Sequence, residues 1–298
     1  MKSAFKSWLR RAGSLVGFRS RRDGRQQAGR WVRGSYTNEA GWRAYRTYLP
    51  SRDEGRKRPL VVMLHGCKQG ADDFAAGTRM NELADELGFI VVYPEQAYRA
   101  HMQRCWNWFR PAHQGRDAGE PSLIAGITRE VIAQHDVDPR RVYVAGLSAG
   151  GAMASIMACA YPDLYAAVGV HSGLAFGAAT DASSAVDAMR GRYKHPTPRC
   201  GESMPIIVFH GDGDTTVHPS NGERAIGAER ETRSVEKGEE RGRAYTRTIR
   251  ADGSEHWLVH GAGHAWSGGS AGGSFADAKG PEAARAMLEF FLRRRQPA

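Results

Sequence analysis

A serine stands between two glycines in Gly146-Leu147-Ser148-Ala149-Gly150, and that spacing has a chemical use. Val142, Tyr143 and Val144 just before it are β-formers, and an Ala/Met-rich run good for a helix follows it. The local reading is a strand, a sharp turn and a helix, with Ser148 at the apex. That arrangement holds a hydroxyl out from the end of a strand, where it can attack a carbonyl carbon. The apex residue takes a strained backbone conformation, and glycine on either side avoids Cβ clashes with the strand and helix. The pentapeptide alone is a weak signal, since small-residue turns are common. The strand before it and the helix after it strengthen it.

A serine nucleophile needs a base, and the base needs a carboxylate to hold its tautomer. Both types occur downstream in the order acid, then histidine. Pro205 to Gly211 is an apolar run of strand length, followed by Asp212-Gly213-Asp214. His256 to His260 is another strand candidate, leading into Gly261-Ala262-Gly263-His264. His264 is the better base, because the glycines around it let a loop reach the serine. His210 and His260 sit at strand ends, where packing or hydrogen bonding accounts for them. Spacing does not choose between Asp212 and Asp214, and either could serve as a turn former beside glycine. An oxyanion site needs two backbone N–H groups, one of them from the residue after the nucleophile, here Ala149. Leu60 to Leu64 reads as a buried strand ended by His65-Gly66-Cys67. Cys67 is the candidate second donor, because Gly66 permits close backbone approach; the plain alternative is a strand-ending turn.

The elements that must position these residues alternate. Strands are expected near 42–49, 59–65, 89–94, 141–146, 165–171, 205–210, 243–250 and 254–260. Helices are expected near 72–87, 121–135, 149–160, 219–229 and 281–295. Strands alternating with helices imply an α/β fold with a mostly parallel central sheet and helices on both faces. A chain of 298 residues, 41% hydrophobic, suits one large domain with a substantial core. No apolar run reaches the ~18 residues of a membrane span. Segments 95–120 and 173–204 have weaker patterns and are expected to form loops over the site.

Eight stretches occur along the chain: LHGCKQGADDF (64–74), VVYPEQ (91–96), CWNWF (105–109), EPSLIAGIT (120–128), DPRRVYVAGLSAGGAMA (138–154), AVGVHSG (167–173), FHGDGDTTVHPSNG (209–222) and GHAWSGG (263–269). Through them the chain resembles the polyhydroxybutyrate depolymerase family of esterases, within the α/β-hydrolase superfamily. The resemblance covers about residues 34 to 298, and these stretches occur in one order. The resemblance implies an α/β-hydrolase fold and ester hydrolysis with Ser148 as nucleophile, Asp214 as acid and His264 as base. It also implies that Cys67 pairs with Cys105, bracing the oxyanion loop against the loop of Trp106 and Trp108. Closing 38 residues in this way is worth ~4 kcal/mol in the chain-entropy model. Cys159 is expected to be a small core residue, and Cys200 lies in a loop and could be free. The family borders on feruloyl and acetyl-xylan esterases, so the resemblance defines the reaction better than the substrate. It is largely a secreted family, which together with a disulfide favours an extracellular or periplasmic setting. The lack of a clear signal peptide keeps the cytoplasm as the alternative.

The net charge of +10 is unevenly placed. Residues 1–33 hold ten Lys/Arg and one Asp, leaving 32 basic and 31 acidic residues elsewhere. The near-neutral body argues against a basic nucleic-acid groove. The chain is therefore read as a basic N-terminal segment, 1–33, and a catalytic domain, 34–298. Within residues 1–18, Phe5, Trp8, Leu9, Ala12, Leu15 and Val16 share one helical face, and Lys2, Lys6 and Arg10 another. Such a segment suits an anionic membrane or granule surface; a solvated disordered tail and a targeting sequence are the alternatives. No metal-ligand spacing and no phosphate cradle are found, and ester hydrolysis needs no cofactor. Trp106, Trp108 and Trp266 adjoin motif residues and are candidates for lining an acyl pocket. The function that follows is a serine esterase acting on 3-hydroxyacyl esters, polymer or oligomer. Its alternatives are a carbohydrate-linked feruloyl or acetyl esterase and a non-catalytic surface-binding protein.

Overall fold

A computed structural model describes residues 29–51, 55–193, 204–227 and 231–297. Its main element is a ten-stranded sheet. In chain order the first half comprises β1 (Arg30–Asn38), β2 (Gly41–Leu49), β3 (Arg58–Leu64), α1 (Ala71–Thr78), α2 (Met80–Leu87), β4 (Ile90–Pro94), α3 (Gly119–Gln134), β5 (Val137–Leu147) and α4 (Ala149–Ala160). The second half comprises β6 (Ala167–His171), α5 (Ala182–Met189), β7 (Ile206–Gly211), α6 (Ser220–Ile226), β8 (Thr232–Glu240), β9 (Arg243–Arg250), β10 (Glu255–Val259), the short pair β11 (Trp266–Ser267) and β12 (Ala276–Asp277), and α7 (Ala283–Leu292). The strand order is β1-β2-β4-β3-β5-β6-β7-β10-β9-β8. The six strands from β4 to β10 are mutually parallel, and an antiparallel pair closes each edge.

Strand periodicity builds two cores. Leu60, Val62 and Leu64 of β3, with Val142 and Val144 of β5, face Ile124 and Ile127 of α3 and Met153 and Met157 of α4. Val61, Met63, Tyr143 and Ala145 alternate with them and join Phe74, Met80, Met287 and Phe291 from α1, α2 and α7. Both faces of the parallel strands are covered, which is why those strands read as continuous apolar runs.

Four departures from the sequence expectations have physical causes. The helix expected over 72–87 is two helices, broken at Arg79, which adopts a left-handed conformation (φ 57°). β8 is an edge strand whose sequence, TRSVEKGEE, is mostly charged, and exposed edges favour such residues over the apolar alternation of a core strand. β1 lies at the opposite edge and begins at Arg30, so the ordered sheet starts before the expected boundary at residue 34. Trp31 there packs on Tyr48 and Tyr93. Helix α5 is the fourth, small and Ala/Ser-rich, started by an Asp181–Ser184 capping box. Residues 1–28, which carry most of the basic N-terminal segment, lie outside the described residues, as does Cys200.

Candidate active site

The parallel strands deliver their C-terminal ends to one side of the sheet, and the residues with chemical potential collect there. Ser148 lies between β5 and α4 with φ 56° and ψ −119°, a sparsely populated conformation for a residue with a side chain. Its N–H donates to His171 O at 2.9 Å, tying the turn to the end of neighbouring β6. The flanking glycines are sterically required. A Cβ on Gly146 would fall 2.4 Å from the Gly150 carbonyl, and one on Gly150 would fall 2.0 Å from Leu64 O.

Two strands away, β7 ends at Gly211 and its loop presents Asp214, whose carboxylate is fully buried. Its Oδ1 accepts from the N–H groups of Thr216 (2.9 Å) and Val217 (2.8 Å). Its Oδ2 accepts from His264 Nδ1 at 2.7 Å, with His210 Nε2 at 3.5 Å. Burial works to raise the Asp214 pKa, but the hydrogen bonds from His210, His264 and Val217 outweigh it. The carboxyl is held below its ordinary range and stays ionised. An ionised acceptor at Nδ1 fixes the His264 tautomer and leaves Nε2 with a lone pair.

Asp212 and His260 form a second pair of similar geometry, with Oδ2 to Nδ1 at 2.8 Å. Its environment differs: both side chains are 40% exposed. The other nitrogen of His260 is taken by Thr246 Oγ1 at 2.9 Å. Asp212 Oδ1 also accepts from Gly261 N–H, so this pair secures the turn after β10. His264 Nε2 has no hydrogen-bond partner among the described residues.

The loop after β3 approaches the serine. A Cβ on Gly66 would lie 3.6 Å from Ser148 Cβ. Neither Cys67 N–H nor Ala149 N–H has an acceptor among the described residues, as expected at a helix start for Ala149. Cys67 is disulfide-bonded to Cys105. His65 stabilises the same loop through both ring nitrogens: Nδ1–H donates to Gly66 O (2.7 Å), and Nε2 accepts from Gln96 N–H (3.0 Å). Burial lowers its pKa and keeps it neutral for both bonds. Cys159, expected to be an unpaired core residue, is also disulfide-bonded; its partner lies outside the described residues.

The three tryptophans adjoining the motifs are core residues with almost no accessible surface. Trp106 donates through Nε1 to His65 O at 3.1 Å, Trp108 packs edge-on to Phe109, and Trp266 stacks on His171 with centroids 5.0 Å apart. Trp106 thereby holds the loop after β3, and Trp266 the end of β6.

Sequence reasoning gave no role to two residues that organise this region. His171 sits at the end of β6, between the serine strand and the aspartate strand. Its carbonyl holds Ser148 N–H, and its Nε2 accepts from Ser267 N–H at 2.9 Å. It thereby links the serine turn to the loop carrying His264. Burial, and then the nearby charges of His210 and His264, push its pKa down to about 3. Glu120, fully buried at the start of α3, gathers Arg43, Gln96, Asn107 Nδ2 and the Asn107 N–H. It anchors the 95–120 segment that carries Cys105. Both residues fall within the family-like stretches 167–173 and 120–128, which was the available signal.

A doubly covered parallel sheet, a strained serine between its strand and helix, and a buried Asp–His pair on later strand ends define an α/β-hydrolase. Residues 43–229 match the model of the family described as Esterase PHB depolymerase. The chain belongs to this family of carboxylic ester hydrolases. It is 36% identical over 178 residues to poly(3-hydroxyalkanoate) depolymerase C of Paucimonas lemoignei, covering 55% of this chain and 42% of that protein. It is 31% identical over 252 residues to feruloyl esterase B of Neurospora crassa, covering 76% of this chain and 85% of that protein. The chain thus spans under half of the first relative and most of the second. Among solved structures, the acetyl xylan esterase from Aspergillus awamori superposes with a TM-score of 0.68 at 21% identity, covering 87% of this chain and 98% of that one. No helix among the described residues is long and apolar enough to cross a membrane.

Proposed function

We propose that this protein is a serine esterase working through an acyl-enzyme, with 3-hydroxyacyl esters as substrates. The observation that carries the reading is the His264–Asp214 pair: its carboxylate is buried and ionised and its imidazole is open at Nε2, on the same sheet end as Ser148. In this reading Ser148 Oγ attacks the ester carbonyl carbon while His264 Nε2 takes its proton. The carbonyl electron pair moves onto oxygen, where the N–H groups of Cys67 and Ala149 receive the negative charge. Collapse expels the alcohol, protonated by His264, and leaves the acyl group on Ser148. Water then repeats the sequence with His264 again as base, releasing the carboxylic acid. Asp214 remains ionised throughout and stabilises the imidazolium.

The substrate class rests on the match to a poly(3-hydroxyalkanoate) depolymerase. Feruloyl or acetylated carbohydrate esters are the second reading, favoured by the feruloyl esterase similarity over a larger share of both chains. The disulfides support an extracytoplasmic setting. Residues 1–28 are assigned to localisation and the remainder to catalysis. Purified enzyme offered 3-hydroxybutyrate oligomers, methyl ferulate and acetylated xylan tests the substrate. The hydroxybutyrate reading predicts the highest kcat/KM on the oligomers. A higher value on either of the others would replace it.

A further inference from the structure

A cavity of about 750 Å³ opens beside the oxyanion loop. It lies between the start of β2 and the segment after β4, and Trp42, Glu95, Tyr98, Arg99 and Arg104 line it. Two contacts tie its wall to the proposed catalytic region. Gln96, also in the lining, donates its N–H to His65 Nε2 and its side-chain amide to Cys105 O at 2.8 Å, and Cys105 is bonded to Cys67. The cavity therefore sits beyond the C-terminal end of β4, on the same side of the sheet as Ser148.

Its chemistry is unusual for a solvent-facing hollow. Trp42 and Tyr98 are 51% and 63% exposed. Water-exposed side chains of this size in one place mark a binding surface. Arg99 and Arg104 make no ion pair with any described residue. Arg43 is neutralised by Glu120 at 3.2 Å, and Glu95 already accepts the Ala71 N–H at 3.0 Å. Counting Glu95 against the two arginines leaves the cavity with one positive charge. An apolar wall beside uncompensated guanidinium groups fits an aliphatic chain that ends in a carboxylate.

We propose that this cavity binds the free carboxylate end of an oligomeric hydroxyacid ester. Trp42 and Tyr98 pack on its aliphatic units, and Arg99 and Arg104 hold its terminal carboxylate. This rests on the hydroxyacyl reading of the substrate. Each ester cleavage leaves one fragment with a new carboxylate end, so the site selects the acids that the reaction itself generates. It makes the enzyme prefer partly degraded, acid-terminated oligomers to capped chains of equal length.

The test compares the 3-hydroxybutyrate tetramer as free acid with its methyl ester, using p-nitrophenyl acetate as a substrate too short to reach the cavity. The wild type is expected to favour the free acid about tenfold in kcat/KM, mainly through KM, the order expected for a partly solvated charge-assisted contact. The Arg99→Gln/Arg104→Gln protein loses that preference and keeps its rate on p-nitrophenyl acetate. Added salt erodes the preference of the wild type in the same direction. Equal kcat/KM for the two tetramers in the wild type, or an unchanged preference in the double variant, overturns the carboxylate site while leaving the esterase reading intact. Cleavage of p-nitrophenyl acetate with neither tetramer cleaved overturns the hydroxyacyl reading and this site with it.

Discussion

Replacing His171 by glutamine separates two things the residue does at once. The glutamine carbonyl can still accept Ser267 N–H, but it cannot titrate. In the wild type the folded pKa of His171 is about 3, against about 6.5 in an unfolded chain. Because the folded value is the lower, the unfolded chain binds the proton first as pH falls, and acid favours unfolding. The window runs from about pH 6.5 down to about pH 3, and stability is fully present above it. Each pH unit in the window costs about 1.4 kcal/mol, so about 3 kcal/mol is lost between pH 6.5 and pH 4. His256, whose pKa burial lowers to about 4, titrates in the same window, but it does so in both proteins and cancels in the difference. Glutamine also forfeits stacking on Trp266 and Phe209, which costs about 1 kcal/mol at every pH. Urea unfolding at pH 7.5, 6, 5 and 4 measures both effects. The variant should be the less stable protein at pH 7.5 and draw level with or overtake the wild type by pH 4. Parallel stability–pH curves would refute the account of His171 as a neutral, buried acceptor.

Further outcomes follow from the same geometry. Asp214→Asn should lower kcat by about 10³ to 10⁴, because the His264 tautomer is no longer enforced; Asp212→Asn, at a half-exposed turn, should cost far less, and steady-state kinetics on a p-nitrophenyl ester compares them. Reduction should lower the melting temperature, since the Cys67–Cys105 bridge alone is worth ~4 kcal/mol in the chain-entropy model; non-reducing peptide maps should show that bridge and a bonded Cys159, and a free Cys67 in oxidised protein would contradict it. A chain beginning at residue 29, which keeps all of β1, should retain its turnover on soluble esters and lose salt-sensitive co-sedimentation with anionic vesicles; failure of the full-length protein to sediment at low salt would leave residues 1–28 without an anchoring role.

Much of this was legible in the sequence because one-dimensional signals matched their three-dimensional causes. The apolar runs of β3, β5 and β7 reflect burial on both faces, and the glycines around Ser148 reflect contacts that leave no room for a Cβ. The edge strands were not legible, because β8 is exposed and mostly charged and β1 is rich in polar residues. Arg79 was hidden within an unbroken helical pattern, since nothing local marks a left-handed arginine. Asp212 and Asp214 could not be separated by spacing. Their difference is tertiary: one pair is half-exposed and capped by Thr246, the other buried and open. His171 and Glu120 act through partners 13 to 96 residues away, distances no local pattern encodes. Family-like stretches marked both positions without saying what they do.

The central claim is that Ser148 carries the acyl group. Intact-mass spectrometry after treatment with a p-nitrophenyl alkylphosphonate tests it directly, in wild type and in Ser148→Ala. The account predicts one adduct per wild-type chain, mapped to the peptide containing Ser148, with ester hydrolysis lost in step with labelling. It also predicts neither labelling nor turnover in the folded variant, a loss of about 10⁴-fold or more. An adduct on another residue, or ester turnover at the wild-type rate in Ser148→Ala, would contradict it.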